Sequence, residues 1–217
     1  MVLMKVYNSR EEWLEARTSC IGGSDAGCIL GLNPWKTNQR LWEEKTGRTK
    51  PDDLGENKLV IYGQKAEPML RELFKLDFPE MKVEYIENNM WTNTAIPWAH
   101  ASLDGWMTDP DGRKGILEIK TSTVNSSMAA EKWKDQIPPT YYAQILSYFL
   151  VTGFDFAILK AQLKYEREGE PPYMQIRHYT IERSDCEEDI AYLAKKEREF
   201  AECIEKDIMP SLILPSI

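Results

Sequence analysis

Three side chains could together do hydrolytic chemistry: Asp104 in Leu103-Asp104-Gly105-Trp106, and Glu118 and Lys120 in Gly115-Ile116-Leu117-Glu118-Ile119-Lys120. If the second segment is a strand, its period of two sends Ile116, Glu118 and Lys120 to one face and Leu117 and Ile119 to the other. The Asp-Gly pair is a natural turn between strands and would let Asp104 point towards Glu118. Phosphodiester hydrolysis needs charge neutralisation on the scissile phosphate, a water of lowered pKa and help for the leaving oxygen. Carboxylates bridging divalent ions supply the first two. A lysine beside them, its pKa lowered by the cations and by partial burial, can orient or deprotonate the water. By spacing alone, the same residues also fit an exposed strand face that alternates Glu and Lys for solubility.

Composition narrows the chemistry. Four scattered cysteines without C-x-x-C pairs and only two histidines argue against zinc sites and disulfide frameworks. A catalytic metal would then be held mainly by oxygen, which suits magnesium or manganese. The 217 residues, 42% hydrophobic, can bury one sizeable core, and the expectation is a single domain over residues 1–217. With neither a signal-peptide pattern nor a run of about 18 apolar residues, the reading is a cytoplasmic protein that does not span a membrane. A net charge of −8 speaks against duplex binding, but Arg17, Lys36, Arg40, Arg48 and Lys50 concentrate positive charge early in the chain.

The elements that must position these residues follow from periodicity and breakers. Helices are predicted over 10–17, in a short segment opened by Gly22-Gly23-Ser24-Asp25, and over 38–46. An amphipathic helix lies between Leu59 and Phe74, its apolar stripe formed by Tyr62, Ala66, Met69, Leu70 and Leu73 and flanked by Glu67. Because of Pro68, this helix is expected to begin close to Glu67. Short strands broken by Pro97, Asp104-Gly105 and Asp109–Gly112 fill 82–120. A helix over 140–151, strands over 156–164 and 173–181, and a charged helix over 185–207 complete the chain. The fold class is α/β (α+β), a mixed central sheet flanked by helices.

Beyond the triad, ordered motifs run from Arg17 to Lys164. They are Arg17, Ile21-Gly22-Gly23-Ser24-Asp25-Ala26, Leu32-Asn33-Pro34-Trp35, Tyr62-Gly63-Gln64-Lys65-Ala66-Glu67-Pro68, Ala101-Ser102-Leu103-Asp104-Gly105, Leu117-Glu118-Ile119-Lys120-Thr121 and Tyr141 to Tyr148. This set resembles the YqaJ-type viral recombinase nucleases, the group that includes the lambda phage exonuclease within the PD-(D/E)-x-K superfamily. The resemblance implies a restriction-endonuclease-like core. It implies that Asp104, Glu118 and Glu67 bind Mg2+, with Mn2+ able to substitute, that Lys120 assists the water, and that Arg17, Ser24, Ser102 and Gln144 hold a terminal 5′-phosphate. It further implies 5′ to 3′ digestion of double-stranded DNA ends, a single-strand annealing partner, a homotrimeric ring, and a phage or prophage origin in a bacterial host.

Arginine grips phosphate bidentately, Ser24 sits at a glycine-rich helix start, and Ser102 would share a strand face with Asp104. Each residue also has an ordinary reading: Arg17 as a solvated helix end, Ser24 as an N-cap, Glu67 as a first-turn acid. Gln144 and Tyr148 share a helical face with Tyr141, and the tyrosines fit core aromatics equally well. Trp35, Trp98 and Trp106 could stack on bases, and His100 could touch phosphate or metal, but neither reading is assigned. Rival functions are a nuclease of other polarity or endonucleolytic action in repair or defence, and a non-catalytic DNA-binding assembly protein.

Overall fold

The computed structural model describes residues 1–217 except 167, 168, 170, 216 and 217. In chain order the elements are β1 (Val2–Val6), α1 (Arg10–Thr18), β2 (Ile21–Gly22), a 3-10 turn (Gly23–Asp25), α2 (Ala26–Ile29), α3 (Asn38–Lys45), α4 (Lys58–Asp77), β3 (Lys82–Glu84), β4 (Asn89–Asn93) and β5 (Ile96–Ala101). There follow β6 (Gly105–Thr108), β7 (Lys114–Val124), α5 (Ser127–Glu131), α6 (Pro139–Thr152), β8 (Phe156–Tyr165), β9 (Tyr173–Glu182), a second 3-10 turn (Arg183–Asp185) and α7 (Glu187–Glu205).

Two mixed sheets form instead of one. The five-stranded sheet has the order β3-β6-β7-β8-β9 and is antiparallel except between β7 and β8. The four-stranded sheet has the order β1-β4-β5-β2, with β2 parallel to β5. A parallel pair needs a long crossover, and α5 with α6 provides it between β7 and β8. The larger core joins Ile21, Ala99, Ile116, Phe149, Leu159 and Leu193 from both sheets, α6 and α7. A smaller core of Leu70, Phe74, Leu117, Ile119 and Phe156 lies between α4 and the opposite face of the five-stranded sheet. The expected alternation along β7 is therefore real, but both of its faces are buried.

Helix starts follow local chemistry. The oxygens of Ser9, Thr37 and Asn57 accept from Glu12 N, Arg40 N and Leu59 N respectively. α4 begins at this Asn57 cap, not near Glu67, and carries Pro68 in its interior. The proline removes one backbone bond, and the burial of Leu70 and Phe74 together with a tie from Asp77 to the buried Lys160 at 2.7 Å holds the helix through it. The apolar stripe read from the sequence faces outward at Tyr62, Met69 and Leu73, while the inward face carries Leu70, Arg71 and Phe74. Pro97 does not end a strand. It lies within β5 at the register irregularity against β4, where a missing N–H costs no ladder bond. No helix among the described residues is long and apolar enough to cross a membrane.

Glu197 of α7 is fully buried, and neither of its carboxyl oxygens is hydrogen-bonded. Burial pushes its pKa up to about 8, with Asp25 adding to the rise and Ser147 and Trp98 opposing it. A folded pKa above the unfolded value gives stability that is present in acid and lost as pH rises through about 8. The urea midpoint is expected to fall between about pH 5 and about pH 8.5, and Glu197→Gln to flatten that fall. Identical slopes for the two proteins would show that Glu197 does not titrate as a buried acid.

Candidate active site

β6 stops at Gly105, paired with Leu117, while β7 runs on to Val124. Beyond that point the side of β7 that faced β6 has no strand partner, and the Ile119 amide would be unpaired. Asp104 takes it, with Oδ2 accepting from Ile119 N at 2.9 Å. Residues 102–104 are not strand, contrary to the expected shared strand face of Ser102 and Asp104, because the chain changes sheets there. Asn89, buried on β4, holds the crossing. Its Nδ2 donates to Leu103 O at 2.9 Å and its Oδ1 accepts from Leu103 N at 3.0 Å, replacing a strand partner.

Glu118, 1% exposed, points to the α6 side. Its Oε1 accepts from Lys120 Nζ at 2.6 Å and from Gln144 Nε2 at 2.8 Å, whereas Oε2 is buried without a partner. Gln144 Nε2 also donates to the Tyr148 hydroxyl at 2.6 Å, and Lys120 Nζ lies 5.1 Å from the centre of the Tyr141 ring. Gln144 was expected at a phosphate. Its donor nitrogen is spent on Glu118 and Tyr148, so it reaches an anion only by exchanging one of these bonds.

Glu67 approaches from α4. It is bound by Arg71, one turn on, whose Nε donates to Asp104 O at 2.5 Å and whose guanidinium lies 3.5 Å over the Tyr85 ring. Arg71 was not among the expected site residues, although the i,i+4 spacing from Glu67 is a signal for such a pair. Glu67 and Asp104 are thus joined through one guanidinium.

The electrostatics reflect crowded buried acids. Burial, then the Asp104 charge, push Glu118 up to about 8 and Glu67 up to about 7, against the pull of Lys120 on the first and Arg71 on the second. Burial also raises Asp104, opposed by Lys120 and the Ile119 amide. For Lys120, burial alone would lower the pKa as expected, but the Glu118 and Asp104 carboxylates outweigh it and hold the ammonium well above its usual range. Each of the three acids is therefore held towards its protonated form, chiefly because burial disfavours its charge.

The other expected residues divide. Lys36 is paired with Glu44, Arg40 with Glu43, Glu44 and Asp52, and Arg48 with Asp207, so these early cations do not form a free basic face. Arg17 forms no ion pair among the described residues. It lies 4.3 Å over the Trp13 ring, and its charge acts on Asp104, Tyr148 and His100. Ser24 is exposed in the 3-10 turn and caps nothing; Asp25 accepts from Gly22 N instead, and the following helix has a single turn with little dipole. Ser102 Oγ is buried without a partner. His100 is buried, and burial, Arg17 and Lys45 bring it down to about 4. Trp106 belongs to the core and Trp98 is half-buried; Trp35 is exposed.

The fold defines a class before any family is considered. It is similar to the crystal structure of an alkaline exonuclease from Laribacter hongkongensis, with a TM-score of 0.67 and 21% identity, covering 91% of this chain and 93% of that one. A phage-related exonuclease from Haemophilus somnus 129PT follows at a TM-score of 0.53 and 14% identity, covering 87% of this chain and 96% of that one. The chain belongs to the YqaJ-like viral recombinase domain family, whose model matches residues 12–155. It is also 34% identical over 149 residues to the uncharacterized protein YqaJ of Bacillus subtilis (strain 168), covering 68% of this chain and 44% of that relative's length.

Gly23 packs directly beneath Tyr148: a Cβ there would stand 2.4 Å from Tyr148 Cε1. Gly23→Ala is expected to cost about 1–3 kcal/mol in urea unfolding. Gly22→Ala, whose Cβ would meet the His100 ring at 3.1 Å and Asp25 Oδ2 at 3.7 Å, is expected to cost less. Equal midpoints for wild type and Gly23→Ala would show that Tyr148 yields freely.

Proposed function

We propose that this chain is a divalent-metal-dependent exodeoxyribonuclease that digests double-stranded DNA ends 5′ to 3′ and leaves 3′ overhangs for recombination. The observation that carries this reading is the convergence of Glu118, Asp104 and Glu67, all three pushed above the usual carboxylate range, around the protonated Lys120. Family membership and the similar structures support it: those proteins are exonucleases, and one was crystallised with dAMP, a nucleoside monophosphate.

Among the described residues, no three His, Cys, Asp or Glu side chains form a ready-made metal cage. The donors present still fit Mg2+, which binds through one or two carboxylates plus substrate phosphates and keeps several waters. Asp104 and Glu118 are the first candidates, since Glu118 Oε2 is buried and unpartnered; Glu67 joins them if Arg71 releases it. A bound Mg2+ or Mn2+ would neutralise phosphate charge and acidify a water. Lys120, beside Glu118, would orient the attacking water, while Gln144 and Tyr148 keep Glu118 in position. Arg17, which forms no ion pair among the described residues, would grip a terminal phosphate, and Ser24 and Ser102 offer hydroxyls. A homotrimer is part of the proposal, and the outward stripe of Met69, Leu73 and Leu76 on α4 offers apolar surface for self-association. A single-strand annealing protein would load on the overhang, in the cytoplasm of a bacterial host.

With Mg2+ and linear duplex, Asp104→Ala and Lys120→Ala are expected to lose at least about a hundredfold in nucleotide release while circular dichroism stays unchanged. Arg17→Ala is expected to slow 5′-phosphorylated ends and to erase their advantage over 5′-hydroxyl ends. Undiminished activity in the first two variants would refute the site. Equal digestion of both end types by the wild type, or cutting of closed circles, would refute the end-gripping reading in favour of another polarity or an endonuclease.

A further inference from the structure

Arg71 is a cation buried among the proposed metal ligands without being one of them. Its side chain is 7% exposed, against 29% for Glu67, one turn earlier on α4. The guanidinium has three anchors: Glu67 Oε1, the Asp104 carbonyl, to which Nε donates at 2.5 Å, and the Tyr85 ring at 3.5 Å. The last two hold the fork whether or not Glu67 stays bound, because a planar guanidinium keeps its geometry when one donor is freed. Glu67 has the opposite character. It is the more exposed of the pair, and Arg71 is its only hydrogen-bonding side chain among the described residues. Both residues stand on one helix face, so a side-chain rotation breaks the bond without movement of the backbone. Asp104 does not depend on that bond either, since its Oδ2 is fixed by Ile119 N and its segment by Asn89.

We infer that Arg71 is a positioning residue that latches Glu67: it holds this carboxylate beside Asp104 and competes for it with the divalent ion, so that Glu67 becomes a ligand only when the ion displaces the guanidinium. The inference rests on the nuclease reading above. On an open helix surface such a pair would compete weakly, because solvent screens it. Here the arginine side is shielded, so the carboxylate has a strong resident partner. A latched site meets the free ion through Asp104 and Glu118 alone. A DNA phosphate adds oxygen ligands to the ion and strengthens its hold, which favours the exchange at Glu67 once DNA has bound.

The test titrates the full chain, without DNA, with Mn2+ followed by its electron paramagnetic resonance signal. Wild type and Glu67→Gln are expected to bind within about twofold of each other, because the latched carboxylate is not yet a ligand. Arg71→Met, which keeps an apolar stem and removes the charge, is expected to bind about tenfold tighter, and the double variant Glu67→Gln with Arg71→Met to return to within about threefold of wild type. Damage to a fold loosens a metal site and does not tighten it, so this gain separates a latch from a structural clamp. Equal affinity of wild type and Arg71→Met overturns the proposal. So does equal tightening in the single and double variants, which would show a general effect of charge. A weakening of about tenfold in Glu67→Gln alone also overturns it, since Glu67 would then be a ligand with Arg71 in place. Arg71→Gln, which keeps a donor for the Asp104 carbonyl, is read in the same way if Arg71→Met does not fold. If the four affinities are as expected but the wild type digests no duplex, the nuclease reading alone fails; if duplex is digested and the four affinities are equal, the latch alone fails.

Discussion

The notch where β6 ends and β7 continues is the constraint on which the site depends. An amide left unpaired in the interior costs free energy comparable to a lost hydrogen bond, so the Ile119 N–H at the end of the ladder needs an acceptor. Asp104 provides one and is thereby fixed beside Glu118. Because the notch is an edge, groups from both faces of the sheet reach it: Glu118 from the α6 side, Glu67 and Arg71 from α4.

Gathering three carboxyls in a water-poor place is unfavourable unless each is hydrogen-bonded or opposed by positive charge. Much of the surrounding architecture meets that demand. Gln144 and Lys120 share one oxygen of Glu118, Arg71 bridges Glu67 and the Asp104 carbonyl, and Asn89 holds the segment that carries Asp104. What these partners leave unmet is a buried Glu118 oxygen and carboxyl pKa values still above normal. Burial of these acids is thus only partly compensated, a pattern that clusters at functional sites.

The supporting helices answer to the same geometry. α4 survives an interior proline because its inward face is anchored by Leu70, Phe74 and the Asp77–Lys160 tie, and this anchoring sets the direction of Glu67. α6 is packed between sheets and α7, so its polar Gln144 and Tyr148 can only satisfy one another and Glu118. Gly23 is required there because Tyr148 occupies the space of a Cβ.

The sequence by itself determined the alternation of Ile116 to Lys120, the motif series and the acids themselves, since strand period depends on bonds a few residues long, whereas the start of α4 at Asn57 lay outside its reading. Only the tertiary structure decided that both faces of β7 are buried, that Gln144 serves Glu118, that Arg71 joins the site, and that Lys36, Arg40 and Arg48 are neutralised by neighbouring acids. Those outcomes depend on partners distant in sequence, Glu118 with Gln144 and Arg71 with Asp104 among them. Charge and burial are settled by the sum of such contacts, and no local period encodes that sum.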